Sequence, residues 1–273
     1  MPDIDVGGVR LHYQRLGEAR SATAVVFLHG LVMDNLASWY FTVAPAVAPF
    51  ADVLLYDLRG HGRSGRPRHG YGVADHVADL RALLEGVGRR GPVYLVGNSF
   101  GGLLAVAFAR AFPHLTAGLV LVDAHLGDDD FGGRMAATLS LRGDARDQAI
   151  AASFEHWLGR HSDRKRNRLA ETAGALVEGT SLVADMAATP PLTPRELREV
   201  HAPVLALYGE RSDLRARSER LLAGLPGART VVLPGCTHSI LWEATDVVRE
   251  AVVGFTAPPR PLEVAPRSLE LSP

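Results

Sequence analysis

The stretch Val93-Tyr94-Leu95-Val96-Gly97-Asn98-Ser99-Phe100-Gly101-Gly102 decides the fold. Its first four residues form a short apolar run of strand length. Gly97-Asn98-Ser99-Phe100-Gly101 then gives Gly-x-Ser-x-Gly. The small, apolar segment that follows, to Phe112, reads as a helix. A turn this tight forces the serine into a strained backbone conformation and lifts its hydroxyl clear of the sheet. Gly97 and Gly101 sit where side chains would meet neighbouring chain, and the helix start favours developing negative charge. The bland alternative is an ordinary strand-to-helix turn with a capping serine. The strand before and the apolar helix after argue for the first reading.

Outward from this turn, the same punctuation repeats. Ala24–Leu28, Val53–Tyr56, Leu119–Val122, Val204–Tyr208 and Thr230–Leu233 are compact apolar runs, suited to strands buried on both faces of a parallel sheet. Ile4–Tyr13 alternates around Gly7-Gly8 and reads as an opening hairpin. Helical spacing appears over Val73–Val87, Arg215–Leu225 and Ile240–Phe255. The expectation is an α/β fold, a doubly wound and mostly parallel sheet. Between about residues 125 and 200 no buried strand is evident, and a helical lid insertion is expected there. One domain is expected over residues 1–256, with a disordered tail over 257–273.

Composition sets outer limits. The 273 residues are 47% hydrophobic and 22% charged, with a formal net charge of −1. That is a globular balance, with no field to draw in nucleic acid. The single cysteine, Cys236, excludes an internal disulfide, reads as a small packed side chain, and fits a cytoplasmic location. The N-terminus lacks a secretory pattern, and no apolar run is long enough for a membrane span. Asp128-Asp129-Asp130 has no second ligand cluster, so no metal is expected. The sequence has no phosphate-binding loop or dinucleotide fingerprint, so no cofactor is expected.

A serine nucleophile needs a base, and the base needs an orienting carboxylate. His238 is best placed, in Gly235-Cys236-Thr237-His238 after the last strand. Asp213, in Tyr208-Gly209-Glu210-Arg211-Ser212-Asp213, is the expected acid; Glu210 and Asp123 are the alternatives. The oxyanion of acyl transfer would be held by the N–H groups of Phe100 and Leu31, the latter following His29-Gly30. His29, Gly30, Gly97, Asn98 and Gly101 support these two turns. Asp34, Trp39 and Tyr40 could equally line an acyl pocket or begin a helix packed on the sheet.

His29-Gly30, the segment Asp57-Leu58-Arg59-Gly60-His61-Gly62-Arg63-Ser64, the turn Gly97–Gly102 and the terminal Gly-x-x-His together resemble the α/β-hydrolase superfamily over about Val25–Phe255. The resemblance implies a serine hydrolase acting on a small or medium ester or thioester. Alternatives are an acyltransferase, a carbon–carbon bond hydrolase, or a binding protein that has lost turnover. It gives Asp57, Arg59 and His61 structural roles. The family's usual acid lies three residues after the glycine ending its strand, whereas Asp213 lies four after Gly209. The turn around Ser99 looks like that of the meta-cleavage-product hydrolases, but the loop after Gly30 lacks the further glycines of that branch. The basic run His161–Arg168 reads as a solvated helix face; the functional alternative is a dock for an acidic acyl carrier protein.

Overall fold

The computed structural model describes residues 2–19, 21–127, 131–141, 143, 145, 163–225 and 227–258. Eight strands form one sheet: β1 (Asp3–Val6), β2 (Val9–Leu16), β3 (Ala24–Leu28), β4 (Asp52–Tyr56), β5 (Val93–Asn98), β6 (Thr116–Val122), β7 (Val204–Gly209) and β8 (Arg229–Leu233). Their spatial order is β1-β2-β4-β3-β5-β6-β7-β8. The opening hairpin pairs antiparallel, as does β2 with β4, and every pairing from β4 to β8 is parallel.

The apolar runs are unbroken because successive side chains enter two different cores. Val26 and Leu28 of β3 pack into one, with Leu95, Leu119, Leu121 and Ala206. Val25 and Phe27 pack into the other, with Val96, Val120, Val122 and Leu207. The first core is closed by α3 (Val73–Gly86) and α4 (Phe100–Ala111). The second is closed by the short helices α1 (Ala37–Tyr40) and α2 (Ala44–Val47), and by the chain after β8. Trp39 is fully buried against Phe27, with ring centroids 5.1 Å apart. Its indole N–H donates to the Leu28 carbonyl at 3.1 Å. Trp39 thus packs on the sheet instead of lining a pocket.

Two local expectations are corrected. Thr230–Leu233 is not buried on both faces: β8 is an edge strand, and only Leu233 is covered while Val231 and Val232 are 38% exposed. The amphipathic segment Ile240–Phe255 is not one helix. It breaks at Ala244, where the backbone leaves the helical region (φ −131°, ψ 44°).

Among the described residues between 125 and 200 there is no strand. The helices there include α5 (Phe131–Leu139), α6 (Asp163–Gly179), α7 (Leu182–Ala187) and α8 (Pro194–Leu197). They are followed by α9 (Arg215–Leu222), α10 (Ile240–Glu243) and α11 (Thr245–Thr256) in the main body. The insertion is anchored on the loop after β4. Ser181 N–H donates to the Arg68 carbonyl at 2.8 Å, and Tyr71 N–H donates to Asp185 at 2.7 Å. Asp128–Asp130, residues 259–273 of the expected tail, and the side chains of the run His161–Arg168 lie outside the described residues. No described helix is long and apolar enough to cross a membrane.

Beneath the Ser99 turn sits a buried imidazole. His76, on α3, is completely enclosed, edge-on to Phe100 at 5.4 Å. Neither ring nitrogen has a hydrogen-bond partner among the described residues. Burial, with the nearby His61 and Arg59, holds it well below the ordinary histidine range, so it is neutral in the fold. Below about pH 6.5 the unfolded chain takes up a proton that the folded chain refuses. That costs at most about 1.4 kcal/mol per pH unit. His76→Phe removes both the unpaired nitrogens and this pH term. In urea melts the variant is expected to be the more stable at pH 7.5 by about 1 kcal/mol. The margin should widen at pH 5.5. Equal destabilisation at both pH values would show that the ring nitrogens are satisfied in solution.

Candidate active site

The site lies at the carboxyl ends of β3, β5, β6 and β7. Ser99 takes φ 53° and ψ −118°, a conformation that side chains rarely adopt. Its N–H donates to the Val122 carbonyl at 3.0 Å, and its carbonyl accepts the N–H groups of Gly102 at 3.0 Å and His125 at 3.1 Å. These bonds to the end of β6 hold the strained turn in place. The glycines are required by contact. A β-carbon on Gly97 would lie 2.3 Å from the Gly101 carbonyl oxygen, and one on Gly101 would lie 2.3 Å from that of Leu28.

His238 follows β8, and its Nδ1 lies 2.6 Å from Asp123 Oδ2. A carboxylate can only accept, so Nδ1 carries the proton and Nε2 is left with the lone pair a base needs. Asp123 is the residue after β6. It is fully buried, with φ 44°, and its Oδ1 accepts Gly209 N–H at 2.9 Å while Oδ2 also accepts the Ser212 hydroxyl at 2.6 Å. Three donors therefore fix one carboxylate beside one imidazole.

This corrects the expected acid. Asp213 is exposed, and it reaches His238 only as a charge at a distance. Glu210 is also exposed and accepts Gly235 N–H at 2.8 Å. The physical reason lies in the β7 loop. Ser212 occupies the place three residues after Gly209, and its hydroxyl donates across to the carboxylate at the end of β6. Gly209 lets the histidine loop come close. A β-carbon there would lie 2.3 Å from the Thr237 carbonyl oxygen.

Burial pushes the His238 imidazole down. The hydrogen bond and charge of Asp123, with the charges of Asp213 and Glu243, more than offset this and carry it above the ordinary histidine value. Glu243 also grips the loop mechanically, accepting Thr237 N–H and the Thr237 hydroxyl, both at 2.7 Å. Burial raises the half-buried Cys236 thiol, which keeps it protonated.

The loop after β3 completes the site. His29 is buried; its Nε2 accepts Leu58 N–H at 3.0 Å, so its Nδ1–H donates to the Gly30 carbonyl at 2.7 Å. The His61 Nε2 accepts Val32 N–H at 2.7 Å, and its Nδ1–H donates to the Arg59 carbonyl at 2.9 Å. Burial and the neighbouring His29 push His61 down to about 3, consistent with a neutral ring. Asp57 accepts Leu36 N–H at 2.9 Å and Arg63 N–H at 2.8 Å. Arg59 makes a buried pair of 2.6 Å bonds with Asp79. All three side chains of the Asp57–Ser64 segment are thus committed to holding loops. Among the described residues, no group engages the N–H of Leu31 or of Phe100.

A narrow crevice is lined by Gly30, Leu31, Asn98, His238 and Trp242. Ser99 borders it: a β-carbon on Gly30 would lie 3.5 Å from Ser99 Cβ and 3.6 Å from Asn98 Nδ2. The fold thus brings His238, Leu31 and Asn98 to one crevice, with Ser99 next to Gly30 of its lining and Asp123 behind the imidazole. A wider cleft, lined in part by Tyr40 and Phe41, lies against the same Val32–Asp34 stretch. Among the described residues no group of three or more His, Cys, Asp or Glu could hold a metal ion.

Residues 25–251 match the Alpha/beta hydrolase family. The chain belongs to that family. Among its relatives, this alpha/beta hydrolase is 27% identical to 2-(acetamidomethylene)succinate hydrolase of Mesorhizobium japonicum, over 92% of the chain and 93% of the relative. It is also 27% identical to 2-hydroxy-6-oxononadienedioate/2-hydroxy-6-oxononatrienedioate hydrolase 2 of Pseudomonas putida, over 90% and 91%. A solved N-acyl homoserine lactone degrading enzyme is 26% identical, with a TM-score of 0.71 over 93% of this chain and 100% of the other. The meta-cleavage product hydrolase of Pseudomonas fluorescens superposes with a TM-score of 0.78 at 22% identity, over 93% and 97%, a likeness of fold.

Proposed function

We propose that this alpha/beta hydrolase cleaves small or medium carboxylic esters or thioesters through an acyl-Ser99 intermediate. The observation that carries this reading is the 2.6 Å bond between His238 Nδ1 and a buried Asp123, beside a serine in strained conformation. His238 Nε2 takes the Ser99 proton as Oγ attacks the carbonyl carbon. The carbonyl oxygen becomes an oxyanion between the N–H groups of Leu31 and Phe100. The intermediate collapses, and the leaving alkoxide or thiolate takes the proton from His238. Water then gives a proton to His238 and attacks the acyl carbon; the second intermediate collapses, His238 returns that proton to Ser99 Oγ, and the acid leaves. Asp123 orients the imidazole and stabilises the imidazolium as it forms.

Carbon–carbon bond hydrolysis is the second reading, favoured by the names of the Pseudomonas putida relative and the meta-cleavage product hydrolase. A series of p-nitrophenyl esters, acetate to octanoate, separates the two. The ester reading predicts turnover with an initial burst of nitrophenol equal to the enzyme present, followed by slower release of acid. Turnover of vinylogous 1,5-diketones with no ester hydrolysis would replace it.

A further inference from the structure

We propose that Asp34 is the positioning residue of the oxyanion loop, holding the loop so that Leu31 N–H is left for the reacting carbonyl. This rests on the acyl-Ser99 reading and deepens it. Asp34 Oδ2 accepts Gly30 N–H at 2.9 Å, and Oδ1 accepts Asn35 N–H at 2.9 Å together with the Ser38 hydroxyl. The carboxylate thus closes a ring from the residue before Leu31 to the start of α1.

The amide accounting of the loop gives this ring its purpose. Gly30 N–H goes to Asp34, Val32 N–H to His61, and Met33 N–H to the Leu31 carbonyl at 2.9 Å. Leu31 N–H, between two tethered neighbours, has no partner among the described residues. Val32 takes φ 70°, which a β-branched side chain resists. Something must hold the loop in that shape, and Asp34 on one side with His61 on the other does so. Without the Asp34 clamp, Gly30 N–H is released beside Ser99, and the peptide between Gly30 and Leu31 is held only by the 2.7 Å bond from His29 Nδ1–H to the Gly30 carbonyl, which lets it tilt away from the reacting carbonyl. Three donors to one carboxylate also spread its charge, which limits repulsion of the oxyanion forming nearby.

A positioning role and a general structural role give different kinetics. An oxyanion donor acts in the transition state, so its loss lowers kcat with little change in KM. Asp34→Ala is expected to lower kcat on p-nitrophenyl butyrate about 30-fold or more, a step toward the 10²–10³ for losing a donor outright. KM should stay within about threefold, and the affinity for a trifluoromethyl ketone analogue should fall in step with kcat/KM. Asp34→Asn keeps one carbonyl acceptor and should recover part of the loss. Ser38→Ala removes only a donor to the carboxylate and should give a smaller loss of the same kind. If Asp34→Ala folds and keeps kcat within threefold, or loses activity through KM alone, the proposal is overturned. If it fails to fold, Asp34→Asn and Ser38→Ala decide by the same split. Failure of the wild type to form an acyl-enzyme would instead overturn the reading beneath it.

Discussion

Asp123→Asn should lower kcat/KM for ester hydrolysis by about 10⁴, whereas Asp213→Asn should stay within about threefold of wild type. The asymmetry follows from the contacts. The Asp123 carboxylate accepts from His238 Nδ1 at 2.6 Å in a fully buried position. An amide there can keep the Gly209 N–H bond through its oxygen, but it then turns an NH₂ toward His238. The imidazole answers by moving its proton to Nε2, and the lone pair that should accept the Ser99 proton is gone. Asp213 is exposed, and its charge on His238 is screened by solvent and salt. The pH profile carries the same information. His238 must be neutral to act as base, and its pKa is raised. Activity of the wild type should therefore fall as pH drops through an apparent pKa above about 6.5. Loss of the Asp123 charge should move the residual acid limb to lower pH. A stronger effect from Asp213→Asn than from Asp123→Asn would return the acid to the β7 loop.

Ser99→Ala should remove about 10⁵–10⁶ of kcat and leave the fold intact. The methyl side chain keeps every bond that supports the turn, since Val122, Gly102 and His125 all engage the Ser99 backbone. The strain at φ 53° also remains, because alanine carries a β-carbon too. Stability should change by less than about 1 kcal/mol, so activity and stability separate in this variant. Esters should still bind, which makes Ser99→Ala the form in which ground-state affinity can be measured. Near-normal turnover would place the nucleophile elsewhere.

The parts of this molecule that were legible in the sequence are those set by local pattern. The strands from β3 to β7 are unbroken apolar runs because each faces two cores, and the tight turn at Ser99 announces itself by glycines that no β-carbon could replace. Pattern is blind to which loops meet. Asp123 and Asp213 both follow adjacent strands, and the sequence alone does not say which of them meets His238. What chooses between them is Ser212, whose short hydroxyl reaches a carboxylate in the next loop. A serine at the place expected for the acid, with an aspartate directly after Leu119–Val122, is a signal that points to Asp123. The exposure of β8 was hidden for a similar reason. An edge strand and an interior strand can share the same apolar letters, and only the sheet order distinguishes them. The unpaired His76 follows no periodicity at all; its isolation comes from the aromatic rings of Tyr71 and Phe100 that pack on it.

The most direct test is the rate and position of phosphonylation by an alkyl fluorophosphonate, read by intact mass and peptide mapping. A single adduct on Ser99 is expected, formed far more slowly in Asp123→Asn and His238→Ala, at near wild-type rate in Asp213→Asn, and absent in Ser99→Ala. An adduct on another residue, or equal labelling rates in wild type and His238→Ala, would contradict this assignment.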